Sequence, residues 1–296
     1  MGVQYYNPAC MKPASFDYLA PRSLEEALDY LAEHGYEAKV LAGGQSLVPA
    51  MNFRLARPAV LVDINPLSEL DYLEETDHRL RIGTLVRHST FEKPVCQGPT
   101  GRLLAMAARH VGHWPIRVRG TFGGSLAHAD PAAEWCVIAR LLDADLVTRS
   151  SSGGRHIPAE MFFQTVFTTA LEPDELLLEA RLPLLSSDTK VGFQQFSRRA
   201  GDFALAMVAV AFQIEEGKVM NPRIALGGVS DRPLRAPEAE QMIEGADPGD
   251  PSFRAAAETA AREIEAIGDI HGSASYRRDL VRALTRRAFE QAITIS

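Results

Sequence analysis

Two pairs of adjacent glycines, each flanked by hydroxyl side chains, are the residues of this sequence best suited to hold an anion. Gly43-Gly44 follows a short apolar run and precedes Ser46, and Gly123-Gly124 lies between Thr121 and Ser125. Glycine permits positive φ and lets the backbone approach a ligand closely. Successive backbone N–H groups can then form a concave anion site. A single Gly-Gly pair, taken alone, is more typical of an ordinary turn.

The presence of two such segments in one chain favours a dinucleotide as the ligand. Two segments that meet a diphosphate from opposite sides spread neutral N–H and hydroxyl donors over both phosphates. Neither segment has the lysine-containing spacing of a P-loop or the three-glycine spacing of a Rossmann site. The sequence therefore predicts a dinucleotide site of another type.

Short strands and helices are predicted around these segments. A helix starts after Ser23, with Glu26 completing a capping box, and Gly35 marks its end. A buried strand over residues 39–42 runs into the first glycine pair. The second pair is assigned to a loop, and Asp130-Pro131 is predicted to open a helix over residues 132–142.

The mixture of strands and helices, without regular alternation, predicts the α+β class. A polar stretch at residues 184–190 suggests a domain boundary. We therefore predict one domain over residues 1–185 and a smaller α+β domain, a small sheet plus helices, over residues 186–296.

Composition narrows the range of functions. The chain of 296 residues has 31 Lys and Arg against 38 Asp and Glu, a net charge of −7, which disfavours a nucleic-acid binder. No apolar run reaches the ~20 residues of a membrane span. Three dispersed cysteines, Cys10, Cys96 and Cys136, favour a reducing cytoplasm over a disulfide framework. They are also too few for an iron–sulfur cluster, which takes four thiolates.

Longer runs around both glycine pairs resemble the FAD-binding medium subunit of molybdenum hydroxylases. This group includes carbon monoxide dehydrogenase, quinoline oxidoreductase and nicotine dehydrogenase, and xanthine dehydrogenase carries the same module. The resemblance covers nearly the whole chain, in order. Its runs are residues 42–49 (AGGQSLVP), 54–58 (RLARP), 120–133 (GTFGGSLAHADPAA), 199–204 (RAGDFA), 223–229 (RIALGGV) and 269–278 (DIHGSASYRR).

The resemblance implies a two-part FAD-binding domain of the PCMH type, with subdomains near residues 1–60 and 61–185, and non-covalent FAD. A carboxylate after the second segment, a leucine near the ring and a residue of the following strand, usually lysine, are also implied contacts. The implied FAD-binding residues are Val40, Leu41, Ala42, Gly43, Gly44, Gln45, Ser46, Leu47, Thr121, Phe122, Gly123, Gly124, Ser125, Glu134, Leu176, Leu177 and Gln194.

The resemblance further implies an oxidoreductase subunit that passes electrons from [2Fe–2S] clusters through FAD to an external acceptor. The clusters and the molybdopterin belong to a small and a large partner subunit, in a dimer of heterotrimers. Hydroxylation of an N-heteroaromatic compound, a nicotine-like compound or carbon monoxide then occurs in a partner. This chain is expected to hold no catalytic residue and, despite His110, His113 and His128, no metal. Two alternatives stay open: a stand-alone flavin oxidase or reductase, and an FAD-free scaffold.

Overall fold

The computed structural model describes residues 12–294. Its strands are β1 Asp17–Leu19, β2 Ala38–Leu41, β3 Val60–Asp63, β4 Leu73–Thr76, β5 Arg79–Gly83, β6 Asp145–Ser150, β7 Gly153–Pro158, β8 Phe163–Thr165, β9 Thr168–Thr169, β10 Leu176–Pro183, β11 Lys190–Phe196, β12 Ala206–Glu215, β13 Lys218–Gly227 and β14 Leu234–Arg235. Its helices are α1 Leu24–His34, α2 Leu47–Asn52, α3 Gly98–Ala108, α4 Trp114–Arg117, α5 Phe122–His128, α6 Glu134–Leu141, α7 Ala159–Phe162, α8 Pro237–Ile243, α9 Asp250–Glu263 and α10 Ala274–Thr294.

The first subdomain is a parallel sheet of order β1-β3-β2, whose core includes the apolar face of α1. Ser23 caps α1 as predicted, because its Oγ accepts a hydrogen bond from Glu26 N at 3.2 Å. The Glu26 carboxylate reaches back to Arg22 N at 2.6 Å, and Gly35 ends the helix at φ +49°. These local contacts determine where α1, the helix before the first glycine segment, begins and ends.

The second subdomain is an antiparallel sheet of order β4-β5-β10-β6-β7. Helices α3, α5 and α6 contribute buried side chains to its core, among them Trp135 and Phe122. Ring centroids of Phe122 and Trp135 lie 5.0 Å apart. The second glycine segment is therefore anchored by an aromatic core.

The third sheet, of order β11-β12-β13-β14, is covered on both faces. Along β12, Met207, Ala209 and Ala211 belong to the core shared with the second subdomain, and the residues that alternate with them belong to the core under α8, α9 and α10. A strand that is buried on both faces has a continuous run of apolar residues in its sequence. This burial accounts for the apolar run over residues 206–212, and the α+β prediction is confirmed.

The third sheet is bonded directly to the segment that precedes α6. Gly228 N donates to Pro131 O at 2.7 Å, and a Cβ on Gly227 would lie 2.3 Å from Val137 Cγ2. The buried Arg277 of α10 donates to Gly228 O and, at 2.7 Å, to Leu205 O. Because cores and hydrogen bonds cross between the two predicted domains, the boundary after residue 185 stays a prediction.

Two local expectations are wrong. The second glycine pair lies in the first turn of α5, where Thr121 Oγ1 accepts from Gly124 N at 3.1 Å and caps the helix. Glycine is used at 123 because a Cβ there would lie 1.8 Å from Thr84 Oγ1. Helix α6 begins at Glu134, after the residues predicted to open it. Asp130 Oδ1 accepts from Ala132 N at 2.8 Å, which makes that stretch a turn.

Within residues 12–294 no helix is long and apolar enough to cross a membrane.

Candidate functional site

The first glycine segment connects the carboxyl end of the edge strand β2 to α2. Gly44 has φ +72°, and Gln45 Nε2 donates to Gly43 O at 3.0 Å, which holds the turn. Within residues 12–294, the backbone N–H groups of Gly43, Gly44, Gln45 and Ser46 donate to no protein acceptor. Because unpaired backbone N–H groups need a partner, this run of free donors suits an anion.

The two glycine segments are in contact. A Cβ on Gly43 would lie 2.5 Å from Arg119 O and 2.6 Å from Gly120 Cα, so only glycine fits there. A Cβ on Gly124 would be 3.7 Å from Ala42 Cβ. The segments that the sequence separates by some 80 residues therefore meet along their backbones.

The second segment offers different donors from the first. Phe122 N donates to Val86 O at 2.8 Å and Gly123 N to Thr84 O at 3.1 Å, while Gly124 N is bonded to Thr121 Oγ1. The Phe122 side chain is fully buried in the aromatic core. The polar groups left for a ligand are the hydroxyls of Thr121 and Ser125, so this segment supplies hydroxyls while the first supplies N–H groups.

A cleft of about 390 Å³ opens beside the first segment. Its walls include three polar side chains that the sequence analysis missed, Asp63, Asn65 and Arg119. Asn65 Nδ2 donates to Ala42 O at 2.7 Å, and Arg87 Nη2 donates to Asn65 Oδ1 at 2.8 Å. Asp63 is the last residue of the buried strand β3 and Asn65 lies two residues after it. Polar residues at the carboxyl end of a buried strand are the signal that would have found them.

The other predicted residues of the first segment are distributed around this cleft. The cleft is lined by Leu41, Ala42, Gly43, Gly44 and Gln45, but not by Ser46 or Leu47. Val40 packs against the core of the first subdomain.

Glu134 is a buried carboxyl group at the first residue of α6. The residue is 9% exposed. Burial raises the pKa of its carboxyl group to about 7, although the hydrogen bond with Gln195 acts in the opposite direction. The Gln195 Oε1 atom is buried and has no partner within residues 12–294. A buried acceptor without a partner needs an explanation, and a polar ligand bound beside Glu134 would supply one.

Strand geometry distinguishes Gln195 from the predicted contact residue Gln194. Side chains alternate along β11, whose register with β12 is regular. Phe193, on the face of Gln195, packs in the core of the second subdomain, and Phe196, on the face of Gln194, packs against the C-terminal core. Gln194 therefore faces away from Glu134, whereas Gln195 is hydrogen-bonded to it. The FAD contact at Gln194 stays a prediction.

The predicted ring contacts, Leu176 and Leu177, are 4% and 2% exposed. Leu176 packs in the core of the first subdomain and Leu177 in that of the second. Neither lines the cleft, so a flavin contact at these positions stays a prediction.

The three histidines considered as metal ligands lie in separate surroundings. His110 packs on Phe193 with ring centroids 5.4 Å apart, and His128 stacks on Phe167 at 4.8 Å. The His113 ring lies against the backbone of Gly201. Within the described part of the chain, no three His, Cys, Asp or Glu side chains gather around a common point.

The pH dependence of folding tests the buried state of Glu134. A carboxyl group whose pKa is raised from 4.5 to about 7 favours the protonated folded state. Wild-type FAD-free protein should thus lose stability as pH rises from about 4.5 to 7, by on the order of 3 kcal/mol. Urea unfolding at pH 5 and pH 8 should show this loss, and Glu134→Gln should remove most of it. Glu69→Gln, at an exposed position, is the control; equal pH slopes for wild type and Glu134→Gln would contradict the assignment.

Comparison with known proteins places these features in a family. Residues 14–185 match the model of the FAD binding domain in molybdopterin dehydrogenase, and residues 192–292 match the CO dehydrogenase flavoprotein C-terminal domain. The chain belongs to this family. It is an FAD-binding medium subunit of the molybdenum hydroxylase type, and its class is oxidoreductase.

Similar proteins cover the chain almost completely. The nicotine 6-hydroxylase medium subunit of Paenarthrobacter nicotinovorans is 38% identical over 95% of this chain and 99% of its own length. The carbon monoxide dehydrogenase medium chain of Hydrogenophaga pseudoflava is 33% identical over 95% and 98%.

Solved structures agree with these sequence matches. A chain of carbon monoxide dehydrogenase from Hydrogenophaga pseudoflava superposes with a TM-score of 0.92 at 34% identity, covering 96% of this medium subunit and 99% of that chain. A chain of quinoline 2-oxidoreductase from Pseudomonas putida 86 gives a TM-score of 0.89 at 36% identity, covering 96% and 99%. The family resemblance inferred from the glycine segments is confirmed.

Proposed function

We propose that this medium subunit binds FAD without a covalent link and relays electrons from partner [2Fe–2S] clusters to an external acceptor. The observation that carries the proposal is the run of free N–H groups at residues 43–46, held against the second segment by the Gly43–Gly120 contact. FAD, when bound, supplies electron transfer between single-electron clusters and an acceptor, and the protein supplies binding and orientation.

The polar groups of the two glycine segments and their neighbours suit FAD chemically, in addition to the family match. The N–H groups of residues 43–46 and the hydroxyls of Thr121 and Ser125 are neutral donors suited to a diphosphate. Arg119 adds a positive charge on the cleft wall. Glu134 and Gln195 provide polar atoms for a hydroxylated chain such as the ribityl group.

The rest of the reaction belongs to partner chains in this proposal. A large molybdopterin subunit hydroxylates the substrate, an N-heteroaromatic or nicotine-like compound or carbon monoxide, and a small subunit carries the clusters, in a dimer of heterotrimers. Relatives are described as a medium subunit, a medium chain and a dehydrogenase complex subunit, which supports an assembly. Cys96 and Cys136 are free thiols, which fits a reducing cytoplasm.

The cofactor assignment predicts a yellow protein with releasable flavin. The isolated chain should carry about one FAD, and acid precipitation should move all of it to the supernatant because no covalent bond holds it. Absorbance of the pellet and the supernatant measures this. A colourless chain that takes up no FAD on addition favours the scaffold alternative, and flavin left in the pellet contradicts non-covalent binding.

A further inference from the structure

The side chain of Arg87, a residue of the stretch after β5, is linked to both glycine segments. Its Nη1 donates to Arg119 O, immediately before Gly120, and its Nη2 donates to Asn65 Oδ1 at 2.8 Å. Asn65 Nδ2 in turn donates to Ala42 O at 2.7 Å. One guanidinium group therefore reaches the backbone of the second segment directly and the backbone of the first through a single amide side chain.

The two carbonyl groups at the ends of this linkage flank the point where the segments touch. Ala42 is the residue before Gly43, and a Cβ on Gly43 would lie 2.5 Å from Arg119 O. Ala42 lies beyond the end of β2, where the parallel ladder with β3 has stopped. The Asn65 amide therefore holds a part of the backbone that the sheet does not hold.

The linkage is anchored at both ends. The backbone of Arg87 pairs with Thr121, the capping residue of α5, in an antiparallel bridge. At the other end, Asp63 Oδ1 accepts from Asn65 N at 2.9 Å and from Asn65 Nδ2 at 2.6 Å. Side chains that are already held in place lose little further freedom when a ligand binds.

The Arg87 guanidinium carries a positive charge that no carboxylate pairs with. Both of its hydrogen-bond partners are neutral oxygens, and within residues 12–294 neither Arg87 nor Arg119 forms an ion pair. Burial and the positive charge of Arg119 lower the pKa of Arg87, against the attraction of Asp71 and Asp63. Two like charges thus repel each other beside the glycine segments, and an anion bound there would be attracted to both.

We propose that Arg87 is a positioning residue for FAD, which holds the two glycine segments, through Arg119 O and Asn65, at the separation that fits one diphosphate. This inference rests on the proposed function, because it deepens the account of the same site. Arg87 does not line the cleft, so it acts through its two acceptors. The planar guanidinium donates in two fixed directions at once, a geometry that a lysine ammonium group does not reproduce.

The test is a flavin fluorescence titration of the FAD-free chain and its variants. Arg87→Met removes two hydrogen bonds of a charged donor and should weaken FAD binding by about 30-fold. Arg87→Lys keeps the charge without the fork and should still bind at least about 10-fold more weakly than the wild type. The matched control is Arg282→Met, which removes a guanidinium that joins α10 to Glu258 of α9 at 2.7 Å. This control should bind FAD like the wild type.

ADP distinguishes a positioning role from a general loss of stability, because it carries a diphosphate without the flavin. Its inhibition constant against FAD should rise in Arg87→Met by the same factor as the FAD dissociation constant. The midpoint potential of the bound flavin should stay at the wild-type value. Asn65→Leu breaks the same linkage, so the double variant should lose less affinity than the product of the two single losses.

The melting temperature of each FAD-free variant establishes that it is folded. If Arg87→Met does not fold, Asn65→Leu decides, with an expected loss of about 10-fold in FAD affinity. Wild-type affinity in the deciding variant overturns the positioning role and leaves the proposed function intact. Wild-type affinity in Arg87→Lys overturns it too, since charge alone would then suffice, as does a loss of FAD affinity without a matching loss for ADP. A wild-type chain that binds no FAD overturns the proposed function itself.

Discussion

A methyl group at Gly43 should weaken FAD binding by about 100-fold. In Gly43→Ala the new Cβ would lie 2.5 Å from Arg119 O and 2.6 Å from Gly120 Cα, both backbone atoms that no rotamer change can move. The two segments must then separate, which costs about 3 kcal/mol for an overpacked contact and weakens binding by about 100-fold. Flavin fluorescence titration of the FAD-free protein measures the affinity.

The control for this variant is Gly249→Ala. The nearest atom to a Cβ at Gly249 is Pro251 Cδ at 3.9 Å, and its φ of 168° is extended backbone. This control should bind FAD like the wild type. Gly124 is a less direct target, because a Cβ there meets the Thr121 hydroxyl rather than backbone. Unchanged FAD affinity in a folded Gly43→Ala protein contradicts the placement of the diphosphate.

Organic substrate should reduce the flavin only in the assembled complex. The described residues of this chain form a cleft beside the first glycine segment, and no three of their His, Cys, Asp or Glu side chains gather as metal ligands. In stopped-flow experiments, the FAD-loaded chain alone should show no flavin bleaching with a heteroaromatic compound, an aldehyde or carbon monoxide. The complex should bleach rapidly with its own substrate, a difference of at least ~1000-fold in rate.

The control removes FAD from the assembled complex. Substrate should still bleach the clusters of that preparation, while turnover with the external acceptor stops. Rapid reduction of the isolated chain by an organic substrate would instead identify a stand-alone oxidase.

Features encoded by neighbouring residues could be predicted from the sequence. Ser23 and Gly35 bound α1 through contacts within a few residues, and the first glycine segment follows its strand directly. The α+β class and the family followed from runs that extend along nearly the whole chain. In each case the deciding residues are close together in the sequence or match a family pattern in order.

Features that depend on contacts between distant residues could not be predicted. The second glycine pair can lie in the first turn of α5 next to Thr84 because Gly123 has no Cβ that would collide with the Thr84 side chain. The cleft wall at Asn65 depends on its hydrogen bond to Ala42 O. The choice between Gln194 and Gln195 depends on strand register, since a shift of one residue exchanges the faces.

The bond between Gly228 and Pro131 has a consequence for biosynthesis. Gly228 is held by Arg277, which lies in the last helix of the chain, and Pro131 lies three residues before Glu134. On the ribosome, residue 277 is synthesised more than 140 residues after Glu134. The walls around Glu134 therefore reach their final positions only after residue 277 has been synthesised, and we expect stable retention of FAD to follow that step rather than to accompany the folding of the N-terminal half.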